Sequence, residues 1–207
     1  MSLLLVFAIT AGVVGLVGRL PDARKVKREL ARARVQSIHS LVDGSSAAIR
    51  GTVSLIEPSG VALAPLTRRQ CVYWLVVFDE VGVGGDYHEL GRVDGGVPFL
   101  LRSDTGTARV VPDQPRLGLP GQTFSRPIMQ PGELGPLAKL VCKRHNYPTS
   151  WLRATEYVVL PDAFVTISGW CTSEPDPEAS ESVSGYREQL PTRPVISGSR
   201  RAKLLIG

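Results

Sequence analysis

The spacing of apolar residues changes character near residue 45. Before that point, apolar side chains recur at roughly helical spacing, and basic residues fill most of the other positions. The apolar positions are Val26, Leu30, Ala33, Ile38 and Leu41. This pattern predicts a helix over residues 21–44, with Pro21 in its first turn and Gly44 at its end. After Ser46, short apolar runs separated by Gly and Pro are typical of strands and turns, so we expect a mainly β body.

Nine strands are predicted within this body. They cover residues 48–56, 61–66, 70–80, 98–103, 107–112, 151–160, 164–171, 194–197 and 202–206. The run over 70–80 is apolar on both faces, which indicates a central strand covered on each side. Gly51 indicates a bulge or a close approach of two backbones. Residues 81–96 are predicted as loop, and residues 113–150 as a long connection with a short helix over 133–145.

A tight hairpin is the clearest local prediction. Asp104, Thr105 and Gly106 separate two apolar runs; Asp can hydrogen-bond its own backbone there, and Gly can adopt a positive φ. Pro98 and Pro112 lie at the outer ends of the two arms, where a missing N–H costs little. We therefore expect the other strands to gather around this hairpin.

The excess positive charge lies in one short segment. The chain has 207 residues, 24 Lys and Arg, and 19 Asp and Glu, for a net charge of +5. Seven basic and two acidic residues lie between Arg19 and Arg34, which accounts for the whole excess. Because the remainder is neutral, the composition argues against a domain surface built for nucleic acid.

The first 20 residues have the character of a membrane anchor. Residues 3–18 are uncharged and mostly apolar, and together with their flanks they are long enough to span a bilayer with snorkelling by Arg19. Basic residues follow this run and none precedes it, which favours a single-pass anchor over residues 1–20 with the C-terminal domain in the cytoplasm. A cleavable signal peptide and a buried core helix are the alternatives.

The basic segment next to the anchor predicts contact with lipid head groups. Its members are Arg19, Arg24, Lys25, Lys27, Arg28, Arg32 and Arg34. Anionic lipids attract juxtamembrane cations by about 1 kcal/mol per residue. The alternative is a solvated helix face that only fixes the topology of the anchor.

Nothing in the sequence predicts a catalytic residue, a metal site or a cofactor. Cys71 fits a small core residue, because no histidine is placed beside it as a base. Cys142 and His145 have the gap of a zinc pair but lack a second pair. The glycines of residues 82–85 follow a strand without opening a helix, so they do not form a phosphate-binding loop. Glu156 is expected to face solvent or to pair with an arginine.

Several runs, taken in order, resemble one known domain. They are residues 49–53, Pro65 with residues 69–73, residues 98–112, Glu156 and residues 165–169. Their order and spacing resemble the GIDE domain, also called BAM ("beside a membrane"), of the MULAN-type membrane-anchored RING ubiquitin ligases. The resemblance implies a β domain next to a lipid surface and a link to ubiquitin transfer. A RING needs eight Cys or His zinc ligands, whereas this chain has three of each.

These observations predict a small OB-like β-barrel or sandwich over residues 45–207, a juxtamembrane helix over 21–44 and a transmembrane helix over 1–20. The expected function is a non-enzymatic, membrane-anchored binding or sensing module, whose partners are the lipid membrane and a protein or small ligand. One alternative is a ubiquitin ligase-type protein or an accessory subunit of one. Another is an OB-like binder of single-stranded nucleic acid, although Tyr73, Trp74 and Phe78 have the pattern of core residues.

Overall fold

The computed structural model describes residues 23–56, 60–81, 87–119, 124–129, 143, 152–177 and 191–207. Its helices are α1 (Ala23–Arg32) and a short 3-10 helix (Ile38–Ser40). Its strands are β1 (Ser45–Leu55), β2 (Ala62–Leu63), β3 (Gln70–Cys71), β4 (Tyr73–Val81), β5 (Tyr87–Gly96), β6 (Phe99–Ser103), β7 (Gly106–Val111), β8 (Arg116–Leu117), β9 (Phe124–Met129), β10 (Leu152–Val159), β11 (Phe164–Pro175), β12 (Thr192–Ser197) and β13 (Leu205–Ile206).

Five strands close into a barrel. Their order is β1-β6-β7-β12-β11, and β11 pairs back onto β1. The pairing of β7 with β12 is parallel, and the other four junctions are antiparallel. The interior is filled by inward-facing residues such as Ile49, Leu101, Val110 and Ile167, none of which is exposed. The prediction of a mainly β fold containing a small barrel is confirmed.

The first strand closes the barrel by changing partners towards its C-terminal end. Residues 45–52 of β1 pair with β11, and residues 52–55 pair with β6. Gly51 lies at the change of partner, where a Cβ atom would overlap the carbonyl group of Arg102. The absence of a side chain at Gly51 lets the two backbones approach, so the predicted close approach is confirmed.

The predicted hairpin is present and forms the β6–β7 pair of the barrel. Ser103 pairs with Gly106, whose φ of 127° lies in the region that favours glycine. Pro98 and Pro112 lie one residue outside the two strands. The turn residues and the two prolines therefore mark the bounds of this hairpin correctly.

A second sheet with the order β5-β4-β10-β9 packs against the barrel. In β4, Leu75 and Val77 belong to the main core, whereas Val76 and Phe78 belong to a smaller cluster on the opposite face. β4 is therefore a central strand with both faces covered, as its apolar pattern predicts. The two-stranded ribbon β2–β3 provides part of the outer cover, through the buried side chains of a third cluster.

The predicted loop over residues 81–96 is wrong, because residues 87–96 form β5 and pair with β4. The glycines at the end of this range are explained by close packing and not by a turn. A Cβ atom on Gly95 would lie 2.7 Å from the Trp74 ring, and one on Gly96 would lie 2.7 Å from the Val72 carbonyl oxygen. These positions need glycine for packing. β9 is likewise a strand within the predicted connection, and nearly all of the helix predicted over 133–145 lies outside the described residues.

The predicted helix over residues 21–44 is shorter in the structure. α1 ends at Arg32, and the chain then runs mostly extended to the 3-10 helix and β1. Ile38 leaves the helical pattern because it packs into the barrel core, where it is 3% exposed. No helix in the described residues is long and apolar enough to cross a membrane, and the predicted anchor over residues 1–20 lies outside them.

Candidate functional site: a basic helix beside a groove

α1 packs on the barrel through two side chains. Val26 and Leu30 are buried and form a cluster with Leu205. Gly118 and Gly207 lie beneath them, and a Cβ atom on either glycine would come within 2.7 Å of the Val26 or Leu30 side chain. Two apolar side chains one helical turn apart thus attach α1 to the barrel, and the other side chains of the helix are not needed for this contact.

All the predicted membrane-contact residues that the structure describes are exposed. They are Arg24, Lys25, Lys27, Arg28, Arg32 and Arg34, and Arg19 lies outside the described residues. Glu29 lies among them, where its carboxylate accepts a 3.4 Å contact from Arg116 of the barrel. The helix therefore presents a basic face to its surroundings, while its role at a membrane stays a prediction.

A chain of contacts connects the C-terminal half of α1 to the outer surface of β1. Leu30 lies against Gly207, whose N–H and C=O both hydrogen-bond to Thr166 of β11. The Thr166 hydroxyl in turn accepts a 3.0 Å hydrogen bond from Nε of Arg50. The basic helix and the surface around Arg50 are therefore neighbours on the same side of the barrel.

An open groove of about 610 Å³ lies on that surface. One wall is the extended segment 35–37 that follows α1, and the other is the tip of the β6–β7 hairpin. The floor includes Arg50 and Thr52 of β1 and Phe164 at the start of β11. This volume lies within the range of ligand-binding clefts.

The strand register sets the order of side chains across the groove. Phe164 pairs with Thr52, and Thr52 pairs with Arg102. All three residues are exposed on the outside of the barrel, and the Phe164 side chain is 69% exposed. Among the described residues, no hydrogen bond or ion pair involves the Arg102 guanidinium group. An aromatic ring on β11 and, on β6, a cation with no partner among the described residues thus lie on either side of Thr52 of β1.

The two walls of the groove are fastened to each other. The backbone N–H of Ile38 donates to the Thr105 hydroxyl at 2.9 Å, and the Ser103 and Thr105 hydroxyls are 2.8 Å apart. The Ile38 side chain also packs 3.5 Å from the position a Cβ atom would take on Gly106. The hairpin tip therefore holds segment 35–37 in place, which makes the groove a preformed feature.

Cys71 is a core residue, as expected. It is fully buried, and its thiol points at the Ala62 carbonyl oxygen at 3.6 Å. Burial, reinforced by the nearby Glu156 carboxylate, raises the pKa of the Cys71 thiol to about 12. A thiol held in this form is a poor nucleophile at neutral pH.

The prediction for Glu156, that it faces solvent or pairs with an arginine, is wrong. Glu156 is fully buried, and its carboxylate accepts hydrogen bonds from the backbone N–H groups of Leu66 and Thr67 at 2.7 and 3.1 Å. The Thr67 hydroxyl donates a third at 2.5 Å. These bonds attach the turn between β2 and β3 to the middle of β10, so the role of Glu156 is structural.

A second carboxylate joins three barrel strands. Glu174 of β11 accepts hydrogen bonds of 2.7 Å from Arg109 of β7 and from Arg193 of β12. Burial raises the pKa of Glu174, but the hydrogen bonds and charges of the two arginines outweigh it, so the pKa lies below its ordinary value. This pair of contacts bridges the parallel junction of the barrel, away from the groove residues.

In the described part of the chain, no three His, Cys, Asp or Glu side chains cluster in a way that could hold a metal ion. Cys142 and His145, which the sequence raised as a zinc pair, lie outside it.

No family model, curated protein or solved structure matches the chain. The resemblance to the GIDE domain therefore stays a prediction, and the site is defined here by its own geometry. Sequence reasoning did not single out Phe164, Arg50 or Arg102. A signal was present, because β11 alternates between exposed and buried residues from Phe164 to Cys171, which places a large aromatic residue on the outward side.

Proposed function

We propose that this protein is a membrane-anchored, non-enzymatic binding module. Residues 1–20 would anchor it, the basic face of α1 would lie on an anionic lipid surface, and the barrel would present the groove to a ligand. The observation that carries the proposal is the arrangement of α1, in which Val26 and Leu30 dock on the barrel while the five cations of the helix stay exposed. Such an arrangement suits a helix between a rigid domain and a charged surface.

Chain continuity supports the placement of the helix. α1 begins at Ala23, four residues after Arg19 and five after the apolar run of residues 3–18. The five residue steps from Gly18 to Ala23 span at most about 18 Å when fully extended. If the apolar run crosses the bilayer, the N-terminus of α1 must therefore lie near the lipid head groups. The barrel must then also lie close to the membrane, because α1 is packed on it.

The strand order supports the binding role. If the five barrel strands are numbered 1 to 5 along the chain, they lie side by side in the order 1-2-3-5-4, and strand 4 pairs with strand 1 to close the barrel. Strands 3 and 5 are parallel. We interpret this closed five-stranded Greek-key arrangement as OB-like, an architecture whose barrel surface commonly binds extended ligands. Fold analogy by itself does not assign a ligand, and the exposed side chains must do so.

The lipid contact can be tested with four substitutions on α1. Changing Lys25, Lys27, Arg28 and Arg32 together to Gln is expected to weaken binding of a 21–207 fragment to vesicles containing phosphatidylserine by tenfold or more, since each cation contributes about 1 kcal/mol near an anionic surface. Co-sedimentation at low salt measures this effect, and circular dichroism checks the fold. As a control, Lys203→Ala removes an exposed cation outside α1. Equal binding of the parent and the fourfold variant would contradict the lipid contact.

A further inference from the structure

We infer that the groove binds an extended acidic segment of a partner protein, with a large apolar side chain of that segment placed against Phe164. The inference rests on the proposed function, because it names the class of partner that the binding module takes. Its three supports are the apolar surface in the groove, the cations beside that surface and the unpaired backbone along one wall.

The apolar surface is concentrated at the groove. Only four large hydrophobic side chains of the described residues are well exposed, and two of them, Val35 at 43% and Phe164 at 69%, line the groove. They lie on different parts of the chain: Val35 is in the wall formed by residues 35–37, and Phe164 is in the floor at the start of β11. A single apolar side chain entering between them would cover both, and burial of that surface would supply hydrophobic stabilisation.

The cations give the groove its preference for carboxylates. Arg50 and Arg102 lie on neighbouring strands, and both are exposed beside Thr52 and Phe164. Arg50 uses only its Nε for Thr166, and Arg102 has no described partner. Among the described residues that line the groove, Asp104 at the hairpin tip is the only acidic one. Guanidinium groups with free donors bind carboxylates through paired, charge-assisted hydrogen bonds, so an acidic segment complements this surface.

The backbone of the wall favours an extended chain. The Gln36 N–H donates to the Ala48 carbonyl oxygen of β1 at 2.8 Å, so the chain at Gln36 lies beside β1. The backbone N–H and C=O of Val35 form no hydrogen bond with any described residue. The N–H and C=O of Val35 therefore offer one donor and one acceptor to the backbone of a bound peptide.

The same observations favour a peptide over a nucleic acid. Binding of single strands relies on successive aromatic platforms, and Phe164 is the only aromatic residue among the well-exposed large hydrophobic side chains described. The sequence offered Tyr73, Trp74 and Phe78 as platforms. Tyr73 and Phe78 are each 1% exposed, and Trp74 is partly buried against two smaller core clusters. One ring in a groove that is also lined by two arginines suits one apolar residue flanked by acidic ones.

The test uses the full-length chain in detergent micelles and three fluorescein-labelled heptapeptides with blocked ends. The probe is Gly-Asp-Glu-Phe-Asp-Glu-Gly, the neutral control replaces its acids by Asn and Gln, and the third peptide replaces its Phe by Ala. Fluorescence anisotropy is expected to show saturable binding of the probe, with both control peptides weakened about tenfold or more. Arg102→Ala and Phe164→Ala should each weaken the probe about tenfold, and Lys203→Ala should leave it unchanged.

Absence of probe binding, equal binding of the three peptides, or variants that bind like the parent chain would overturn the inference. A labelled oligothymidine that binds in the groove, with the same dependence on Arg102 and Phe164, would also overturn it by assigning a nucleic acid. So would a loss of phosphatidylserine-vesicle binding caused by these two substitutions. Vesicle binding that depends on α1 alone would leave the proposed membrane function intact, so the two failures can be distinguished.

Discussion

Replacing Glu156 by Ala is expected to lower the free energy of unfolding by about 3–5 kcal/mol. The carboxylate is fully buried and accepts hydrogen bonds from two N–H groups and one hydroxyl group of residues 66 and 67. Alanine would leave these donors without partners inside the protein and would leave a cavity in β10. Urea denaturation followed by tryptophan fluorescence measures the loss, and the ribbon β2–β3 should detach before the barrel unfolds.

Two control substitutions separate this effect from a general effect of charge. Glu156→Gln keeps the shape but turns one acceptor into a donor that faces other donors, so it should recover only part of the stability. Glu29→Gln removes a partly exposed carboxylate that lies 3.4 Å from Arg116, and it should cost less than about 1 kcal/mol. If Glu156→Ala costs no more than Glu29→Gln, the structural role assigned to Glu156 is wrong.

Replacing Gly51 by Val is expected to cost about 3 kcal/mol or more, because the backbone of β6 occupies the space a side chain needs. A Cβ atom at Gly51 would overlap the carbonyl group of Arg102, and this contact involves backbone atoms that cannot rotate away. The substitution acts where β1 changes partner from β11 to β6. It should therefore open the barrel, which amide hydrogen exchange in β1 and β6 would report together with the loss of stability.

The neighbouring residue supplies the matched control. Thr52→Val introduces the same β-branched side chain at an exposed position of the same strand, and its effect should stay below about 1 kcal/mol. Comparable losses in the two variants would contradict the close approach at Gly51.

Local structure could be predicted from the sequence where turn chemistry and apolar runs coincide. The hairpin was bounded by Gly106 and its two prolines, and β4 was recognised as central because both its faces are apolar. β5 was missed because its glycines are required by close packing on Trp74 and Tyr73, a contact that links separate strands. A glycine in a turn and a glycine under a tryptophan look alike in one sequence.

The groove could not be predicted in the same way. The outward positions of Arg50 and Phe164 follow from alternation within β1 and β11, but their juxtaposition depends on the register between strands. Residues 50 and 164 are more than 100 positions apart, and no local pattern fixes such a pairing. Glu156 was misjudged for a related reason, since its partners belong to a turn about 90 residues earlier.

Membrane retention of the full-length chain tests the central claim most directly. Membranes from cells that express the full chain, or a chain lacking residues 1–20, are washed in low salt, high salt and alkali, and the protein is followed in pellet and supernatant. We predict that the full chain stays in the pellet through all three washes, whereas the shortened chain pellets in low salt and is released by high salt. Recovery of the full chain in the low-salt supernatant would contradict the account.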